Sequence, residues 1–184
     1  MASFIDDCRR EMEQTTIALK REFARLRTSR ATTALLDGIT VEYYGAKTPL
    51  NQLASLSAPE SRLLIIQPFD RSAIGEIERA ILQSDLGLTP QNDGKIIRIP
   101  IPELTEERRR ELVKHVKKTA EEFRVSQRGH RRDAIEMLKE LNKEKEITDD
   151  DLKKGQEQIE HLTKEYVEKV DALLKSKEEE IMEV

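Results

Sequence analysis

Proline and glycine are concentrated in the middle of this chain, and that distribution limits the folds open to it. All six prolines and five of the seven glycines lie between positions 38 and 102 of the 184 residues. Proline removes a backbone donor and glycine adds backbone entropy, so long stretches almost free of both favour helix. The sequence therefore predicts long helical flanks around an inserted region of short strands and turns.

The N-terminal flank has the spacing of one amphipathic helix. Apolar and small side chains recur every three or four positions from Phe4 to Leu26, which predicts a helix of about 25 residues with a single apolar stripe. Cys8 falls on this stripe, which favours a buried, unreactive thiol over a reactive one.

Capping signals divide the C-terminal flank into two helices. Thr105 is followed by two glutamates, as expected at a helix N-terminus, and the same pattern recurs at Thr148. Thr148 and Asp151 have the spacing of a capping box, and Ile147 and Leu152 occupy the positions of a hydrophobic staple. We expect one helix over about 105–145 and another from 148 towards the C-terminus.

Each long helix has one apolar stripe, interrupted in the second by Gln127 and His130. A helix with one such stripe must bury it against other helices, so residues 1–30 and 105–184 are predicted to form an antiparallel three-helix bundle. Helices of about 40 residues would be ~60 Å long, which predicts an elongated molecule.

The inserted region, residues 31–104, reads as a small β/α/β domain. Residues 39–44, 63–66 and 96–99 have the composition of strands, and residues 91–94 that of a turn. A short helix is expected over about 74–82, after Asp70 and Ser72. The predicted fold class is α+β, with two chain crossings between the domains that form a two-strand hinge.

Little in the sequence supports an enzyme or a cofactor site. There is no glycine-rich phosphate loop, nucleophile elbow or pair of metal-spaced ligands, and His115, His130 and His161 read as surface or packing residues. The acidic run 149–151 is better explained as a helix cap than as a divalent-ion site. A single cysteine, no membrane-length apolar run and no signal sequence predict a cytoplasmic protein.

A row of basic residues on the second long helix is the strongest functional signal. Lys117, Arg124, Arg128, Arg131 and Arg132 fall between about −40° and +60° on one helix face, about 120° from the apolar stripe. Arg110 and Lys114 extend this basic row towards the N-terminus. Planar guanidinium groups suit phosphate, so the row favours a polyanionic partner.

A solvated helix face is the alternative explanation of the row, with Glu121, Glu136 and Glu140 as ion-pair partners. The surrounding charge is uneven, because residues 105–145 have a net charge of +4 and residues 146–184 one of −7. No aromatic residue lies among the arginines to stack on bases, so structured RNA bound through its phosphates fits better than a single strand.

Several strings in the chain are distinctive: RTSRA at 27–31, VEYYG at 41–45, TPLNQLA at 48–54, SDLGL at 84–88, LTEERR at 104–109 and RVSQRGHRRDA at 124–134. Through them the sequence resembles the bacterial ribosome recycling factor family over essentially its whole length. The resemblance implies an L-shaped, tRNA-sized protein with a three-helix bundle and a smaller domain joined by two hinge segments.

The resemblance also implies a function. Such a factor binds the large subunit of the post-termination ribosome and, with elongation factor G and its GTP, splits the ribosome into subunits. It has no catalytic residues or cofactor of its own, acts as a cytoplasmic monomer, and binds neither DNA nor membrane.

Site residues follow from the same resemblance. Arg128, Arg131 and Arg132 would contact large-subunit rRNA, with Arg131 the most important, and Arg27 and Arg30 would lie beside them near the domain junction. Together with the rest of the basic row, the implied rRNA-binding set is Arg27, Arg30, Arg110, Lys117, Arg124, Arg128, Arg131 and Arg132. The hinge would comprise Ser29, Arg30, Ala31, Pro102, Glu103 and Leu104.

This chain departs from the family pattern at Ser29, where the family has glycine, and at Gly129 and His130, where it has asparagine followed by an apolar residue. Gly129 in mid-helix costs about 1 kcal/mol of helix propensity. Two other functions stay open from the residues alone. A helical adaptor for protein partners would bind independently of salt and of Arg131, and a hydrolase would need a nucleophile.

Overall fold

A computed structural model describes residues 2–183. The long helices are α1 (Ala2–Ala24), α4 (Glu106–Lys143) and α5 (Asp149–Met182), and the short ones are α2 (Leu50–Leu53) and α3 (Ile74–Gln83). The strands are β1 (Thr40–Tyr43), β2 (Ala46–Pro49), β3 (Ala54–Glu60), β4 (Leu63–Pro68), β5 (Gln91–Asn92) and β6 (Ile97–Pro100). The predicted mixed fold, with long helices and a small β region, is confirmed.

The chain divides into two compact units. The helical unit comprises the N-terminal segment up to Phe23 and Arg110–Glu179, and the sheet unit comprises Ala24–Arg109 and the C-terminal residues from Glu180. None of the helices in the described part of the chain has a stretch long and apolar enough to cross a bilayer.

The helical unit buries the apolar stripes of α1, α4 and α5 against one another. Its core includes Met12, Leu138 and Ile159, none of which exposes any surface, and Cys8 is buried beside them as predicted. Burial, followed by the nearby Glu11 carboxylate, raises the pKa of the Cys8 thiol. That combination disfavours the reactive thiolate.

The predicted caps define the ends of α4 and α5. The backbone N–H of Arg108 donates to Oγ1 of Thr105 at 3.1 Å. At the next helix, the N–H of Asp151 donates to Oγ1 of Thr148 at 3.1 Å, and the N–H of Thr148 donates to the Asp151 carboxylate at 3.2 Å. These reciprocal bonds form the capping box, so α5 begins where the sequence predicted.

The sheet unit contains a β1–β2 hairpin and a four-stranded antiparallel sheet in the order β3-β4-β6-β5. Leu64 pairs with Ile99 and Ile66 with Ile97, and none of these four side chains exposes any surface. They pack in one aliphatic core with Ile77 and Ile81 of α3. The short helix predicted near 74–82 is therefore confirmed as the element that covers this core.

Four of these elements in the sheet unit were not predicted from the sequence: β2, α2, β3 and β5. The β3 segment, ASLSAPE, lacks β-branched and aromatic residues and contains a proline, so its composition predicts no strand. The predicted strand at 39–44 is also too long, because Tyr44 and Gly45 form the turn after β1 with positive φ angles of 49° and 78°. Residues 91 and 92 of the predicted turn pair with β6 as strand β5.

Candidate nucleic-acid interface

The basic row lies on α4, an uninterrupted 38-residue helix without proline. Lys117, Arg124 and Arg131 are spaced by seven residues, so their side chains leave the same face of the helix. A capped helix held in a bundle fixes the backbone positions of these cations. The row therefore presents its charges at intervals of about 10 Å.

Gln127 connects α4 to α1 from inside the helical unit. The side chain exposes no surface, and its Nε2 donates to the Met12 carbonyl at 3.0 Å and to Oγ1 of Thr16 at 3.1 Å. The polar residue that interrupts the apolar stripe is thus a buried hydrogen-bonding residue that aligns the two helices. Its partners on α1 were not predicted from the sequence.

His130 also faces α1. Its Nε2 lies 2.9 Å from Oγ1 of Thr15, within hydrogen-bond distance, and its Nδ1 lies 3.5 Å from the Glu11 carboxylate. It packs on the α1 side of the helix, in agreement with its interpretation as a packing histidine.

Carboxylates accompany the basic row. Glu121 lies 3.0 Å from Arg124 and 3.4 Å from Arg128, which confirms one of the three partners that the solvated-face alternative named. Other partners come from α5 and were not predicted. Lys117 lies 3.6 Å from Glu178, Arg124 lies 2.7 Å from Asp171, and Arg131 lies 3.6 Å from Glu160.

The arginines of the row differ in exposure. The Arg124 side chain is 19% exposed, against 49% for Arg128 and 38% for Arg131, and Arg132 is exposed. Partial burial opposes ionisation of Arg124, but its hydrogen bonds to Asp171 and Glu121 outweigh burial and raise the pKa of the guanidinium. Arg124 is therefore held between two carboxylates, whereas the other three arginines are more accessible to a partner.

The remaining cations of the predicted site lie outside this row or at its end. Arg110 is exposed on α4, in its second turn. In the sheet unit, Arg30 forms an ion pair with Glu183 at 2.5 Å. Arg27 is half-buried, and its Nη1 has no hydrogen-bond partner among residues 2–183.

The predicted hinge residues are anchored to one turn of the sheet unit. Ala31 donates its N–H to the Ser61 carbonyl at 2.6 Å, and Ile101, beside Pro102, donates to the Arg62 carbonyl at 2.9 Å. Ser61 and Arg62 connect β3 to β4, so the two segments meet there. In addition, Arg62 forms an ion pair with Glu103 at 2.9 Å. Leu104 is buried and Ser29 half-buried.

The described part of the chain contains no candidate metal-binding site. No group of three or more histidine, cysteine, aspartate or glutamate side chains there could hold a metal ion. The acidic run at the start of α5 contributes to its cap instead, because Thr148 and the backbone hydrogen bond lower the pKa of Asp151.

Known proteins resemble this chain over nearly its full length. The family model of ribosome recycling factor matches residues 19–182. The ribosome-recycling factor of Halalkalibacterium halodurans is 58% identical over 98% of this chain and 97% of its own length. That of Bacillus subtilis is 58% identical over 95% of this chain and 94% of its own length.

Two solved structures are also similar. A solution structure of ribosome recycling factor has a TM-score of 0.78 and 43% identity, covering 100% of this chain and 97% of its own. The second provides models for the T. thermophilus factor and E. coli elongation factor G bound to the E. coli post-termination complex, and its recycling factor has a TM-score of 0.68 and 44% identity. It covers 99% of this chain and 98% of its own.

Proposed function

Because this chain belongs to the ribosome recycling factor family, we propose that it binds the post-termination ribosome and, with elongation factor G and GTP, splits it into subunits. The similar T. thermophilus factor is bound with elongation factor G to a post-termination complex. That factor aligns with 99% of this chain, so the similarity extends over both units.

The chemistry of splitting belongs to the partner in this proposal. GTP is bound and hydrolysed by elongation factor G, and this chain acts by binding alone, without a cofactor or a catalytic residue. It works as a single copy in the cytoplasm, where its ribosomal partner is found.

The basic row of α4 is the proposed rRNA-binding surface, and its fixed spacing is the observation that supports this best. Arg128, Arg131 and Arg132 are accessible and contact phosphates of large-subunit rRNA, where guanidinium groups bind two oxygens at once. Lys117 and Arg110 extend the contact along the helix, and Arg124 positions the row. Arg27 and Arg30 add contacts from the sheet unit.

Light scattering of post-termination ribosomes mixed with elongation factor G and GTP tests this function. The native chain should lower the scattering as subunits separate, and Arg131→Ala should slow that decrease at least tenfold, by loss of a charge-assisted phosphate contact. Arg10→Ala is the matched control, because it removes an equally charged, 69% exposed side chain from α1. Equal rates for the two variants would disprove the assigned surface, and no decrease with the native chain would disprove the function.

A hinge is the second part of the proposal. We place it at Ser29, Arg30 and Ala31 and at Pro102, Glu103 and Leu104, where the chain crosses twice between the predicted domains. The anchoring of both segments to the Ser61–Arg62 turn would let elongation factor G move the smaller domain as one body about this point. Two glycines inserted after Ser29 should lower the splitting rate and leave ribosome binding intact. The same insertion after Gly87, an exposed loop position, is the control. Unchanged splitting with the first insertion would refute the hinge.

A further inference from the structure

Aromatic side chains meet at the surface of the sheet unit, although the whole chain has only three tyrosines and four phenylalanines. The rings of Tyr43 and Tyr44 pack edge to face, with their centroids 4.5 Å apart. The Tyr43 hydroxyl donates to the Asp70 carboxylate at 2.7 Å, and Phe69 directly precedes Asp70 in the chain. We call Tyr43, Tyr44 and Phe69 the aromatic patch.

Two rings of the aromatic patch are largely in water. The Tyr44 side chain is 84% exposed and that of Phe69 is 71% exposed, more than any other large hydrophobic side chain among residues 2–183. An apolar ring stabilises a fold only by the area that it removes from water, so these two contribute little to folding. Tyrosine and phenylalanine are enriched in interfaces between proteins. The aromatic patch therefore has the composition of a contact surface and the exposure of an uncovered one.

The backbone of Tyr44 adds independent support for a role of its ring. Tyr44 and Gly45 alone connect β1 to β2, and their φ angles are +49° and +78°. Two positive φ angles in a two-residue hairpin loop follow the type I′ pattern, in which asparagine followed by glycine is preferred. A bulky L-residue is strained there, and such strain is concentrated at functional sites. Folding would favour asparagine at position 44, so the tyrosine needs another explanation.

Hydrogen bonds hold the aromatic patch in place. Besides the bond from Tyr43, the Asp70 carboxylate accepts bonds from the N–H and the hydroxyl of Ser72 at 2.9 and 2.7 Å. The N–H of Phe69 donates to the Leu53 carbonyl at 2.9 Å. A surface that is already ordered loses little conformational entropy when a partner binds. The aromatic patch is thus preorganised for binding.

The charges around the aromatic patch favour a protein over RNA. Arg71 follows Asp70 in the chain, and Glu42 is paired with Lys47 across the hairpin, so cations and carboxylates balance in these segments. Sites that stack nucleic-acid bases combine aromatic rings with a positively charged groove for the phosphates. Balanced charge offers no such groove, whereas it suits an apolar contact with a protein surface.

We propose that the aromatic patch is a docking surface for elongation factor G, with Tyr44 and Phe69 as its anchoring residues. The inference rests on the proposed function, in which elongation factor G moves the smaller domain as one body and must therefore hold it. It assigns that contact to named side chains of the sheet unit, whereas the proposed rRNA contacts lie mainly on α4.

Splitting of post-termination ribosomes, followed by light scattering over a range of elongation factor G concentrations, tests the docking surface with the full-length chain. Tyr44→Asn and Phe69→Ala should each raise the concentration of elongation factor G needed for half-maximal splitting about tenfold, as expected when an anchoring side chain is removed. The splitting rate at saturating elongation factor G should stay close to the native one. Binding to post-termination ribosomes without elongation factor G should also be unchanged.

Thermal unfolding separates loss of docking from loss of folding. Tyr44→Asn creates the preferred Asn-Gly loop, so this variant should unfold at the same temperature as the native chain or higher while it needs more elongation factor G. Tyr44→Phe keeps the ring and should restore native behaviour. Leu82→Ala is the matched control, because it removes a 59% exposed apolar side chain near the end of α3. It should change the requirement for elongation factor G by less than about twofold.

Three outcomes would overturn the proposal. If the native chain splits ribosomes and Tyr44→Asn and Phe69→Ala need no more elongation factor G than Leu82→Ala, the aromatic patch is not a docking surface. If these variants instead bind post-termination ribosomes more weakly without elongation factor G, the patch contacts the ribosome. If the native chain does not split ribosomes, the proposed function fails and the docking surface with it. The native chain thus tests the function, and the variants test the patch.

Discussion

Polar side chains are buried where the long helices of the helical unit meet, whereas the core of the sheet unit is aliphatic. Among the described residues, the helical unit buries Thr16, Thr119, Gln127, Thr163 and Lys177, whereas the sheet unit buries one polar side chain, that of Thr28. The core cluster of the sheet unit consists of alanine, valine, leucine and isoleucine. Both units are compact, so the difference in buried polar side chains does not come from looser packing in one of them.

The difference lies in how each unit fixes the register of its elements. Two long helices with regular apolar stripes can shift by one heptad and still bury apolar surface, so a specific bond such as that from Gln127 to the Met12 carbonyl selects one alignment. In a sheet, a slip of one residue turns every side chain to the other face. The turn at Tyr44 and Gly45, with both φ angles positive, also fixes the β1–β2 register.

Removing aliphatic volume from the core of the sheet unit should cause the largest loss of stability, and that loss should be confined to the sheet unit. Ile66 exposes no surface and pairs with Ile97, so Ile66→Ala should lower the free energy of unfolding of this unit by roughly 2–5 kcal/mol. Amide hydrogen exchange read by mass spectrometry should show faster exchange in β4 and β6 and unchanged exchange in the middle of α4.

Ile65→Ala provides the control, because Ile65 is only half-buried and lies on the opposite face of β4. It should cost much less than Ile66→Ala. If Ile66→Ala accelerated exchange in α4 as much as in β4 and β6, the two units would unfold as one, which would contradict the comparison between them.

Removing a buried hydrogen bond from the helical unit should cause the second largest loss of stability. Gln127→Ala removes both bonds to α1 and leaves a cavity, at a cost of roughly 1–3 kcal/mol in denaturant unfolding. Gln127→Met keeps the volume and should recover most of that stability, but it should give additional amide cross-peaks in NMR spectra as the register becomes ambiguous. One sharp set of peaks for Gln127→Met would mean that packing alone aligns α1 and α4.

The sequence predicted the long helices well because their signals are local. The caps at Thr105 and Thr148 and the apolar stripes are visible without tertiary information, and the structure follows them closely. Strand β3 was missed because its residues have no preference for a strand. It forms by pairing with the strongly apolar β4, a contact that no local pattern records.

The candidate site was predicted in part for the same reason. The basic row on α4 follows from helical spacing, and Glu121 lies on the same helix within reach. The three carboxylates of α5 are 29 to 61 residues away from the cations they face, so only the packing of α5 on α4 reveals them. Their alignment on one face of α5 is a signal that could have been read, had the facing register been known.

Titration of Tyr43 tests the polar contact that the sheet unit makes at its surface. Tyr43 donates its hydroxyl to Asp70 at 2.7 Å, and this bond raises the pKa of Tyr43 from 10.0 to about 12. Because the folded state holds this proton more tightly, the contribution of the bond to stability is complete below about pH 10 and is lost as the pH rises towards 12.

Asp70→Asn should therefore return the tyrosinate absorbance transition of Tyr43 towards pH 10 and reduce the loss of stability at high pH. Tyr43→Phe identifies the transition, because it removes one tyrosine signal and leaves Tyr44 and Tyr166 in place. A transition unmoved by Asp70→Asn would show that the bond to Asp70 does not raise this pKa.

Glycine-to-alanine substitutions should give the smallest changes in the free energy of unfolding, and these changes should have opposite signs in the two units. A Cβ on Gly129 of α4 would meet nothing within 4 Å, so Gly129→Ala should raise the free energy of unfolding by about 0.5–1 kcal/mol through helix propensity. Gly45 has a φ of +78°, where an L-residue is strained, so Gly45→Ala should lower the free energy of unfolding by about 1 kcal/mol although the space is equally open.

Gly155→Ala is the control for α-helical packing. Its Cβ would lie 2.8 Å from Cδ1 of the buried Leu138, and this close contact should cancel the gain in helix propensity. Thermal unfolding of the three variants measures this directly, and a gain from Gly45→Ala would contradict the view that the turn sets the register of the hairpin.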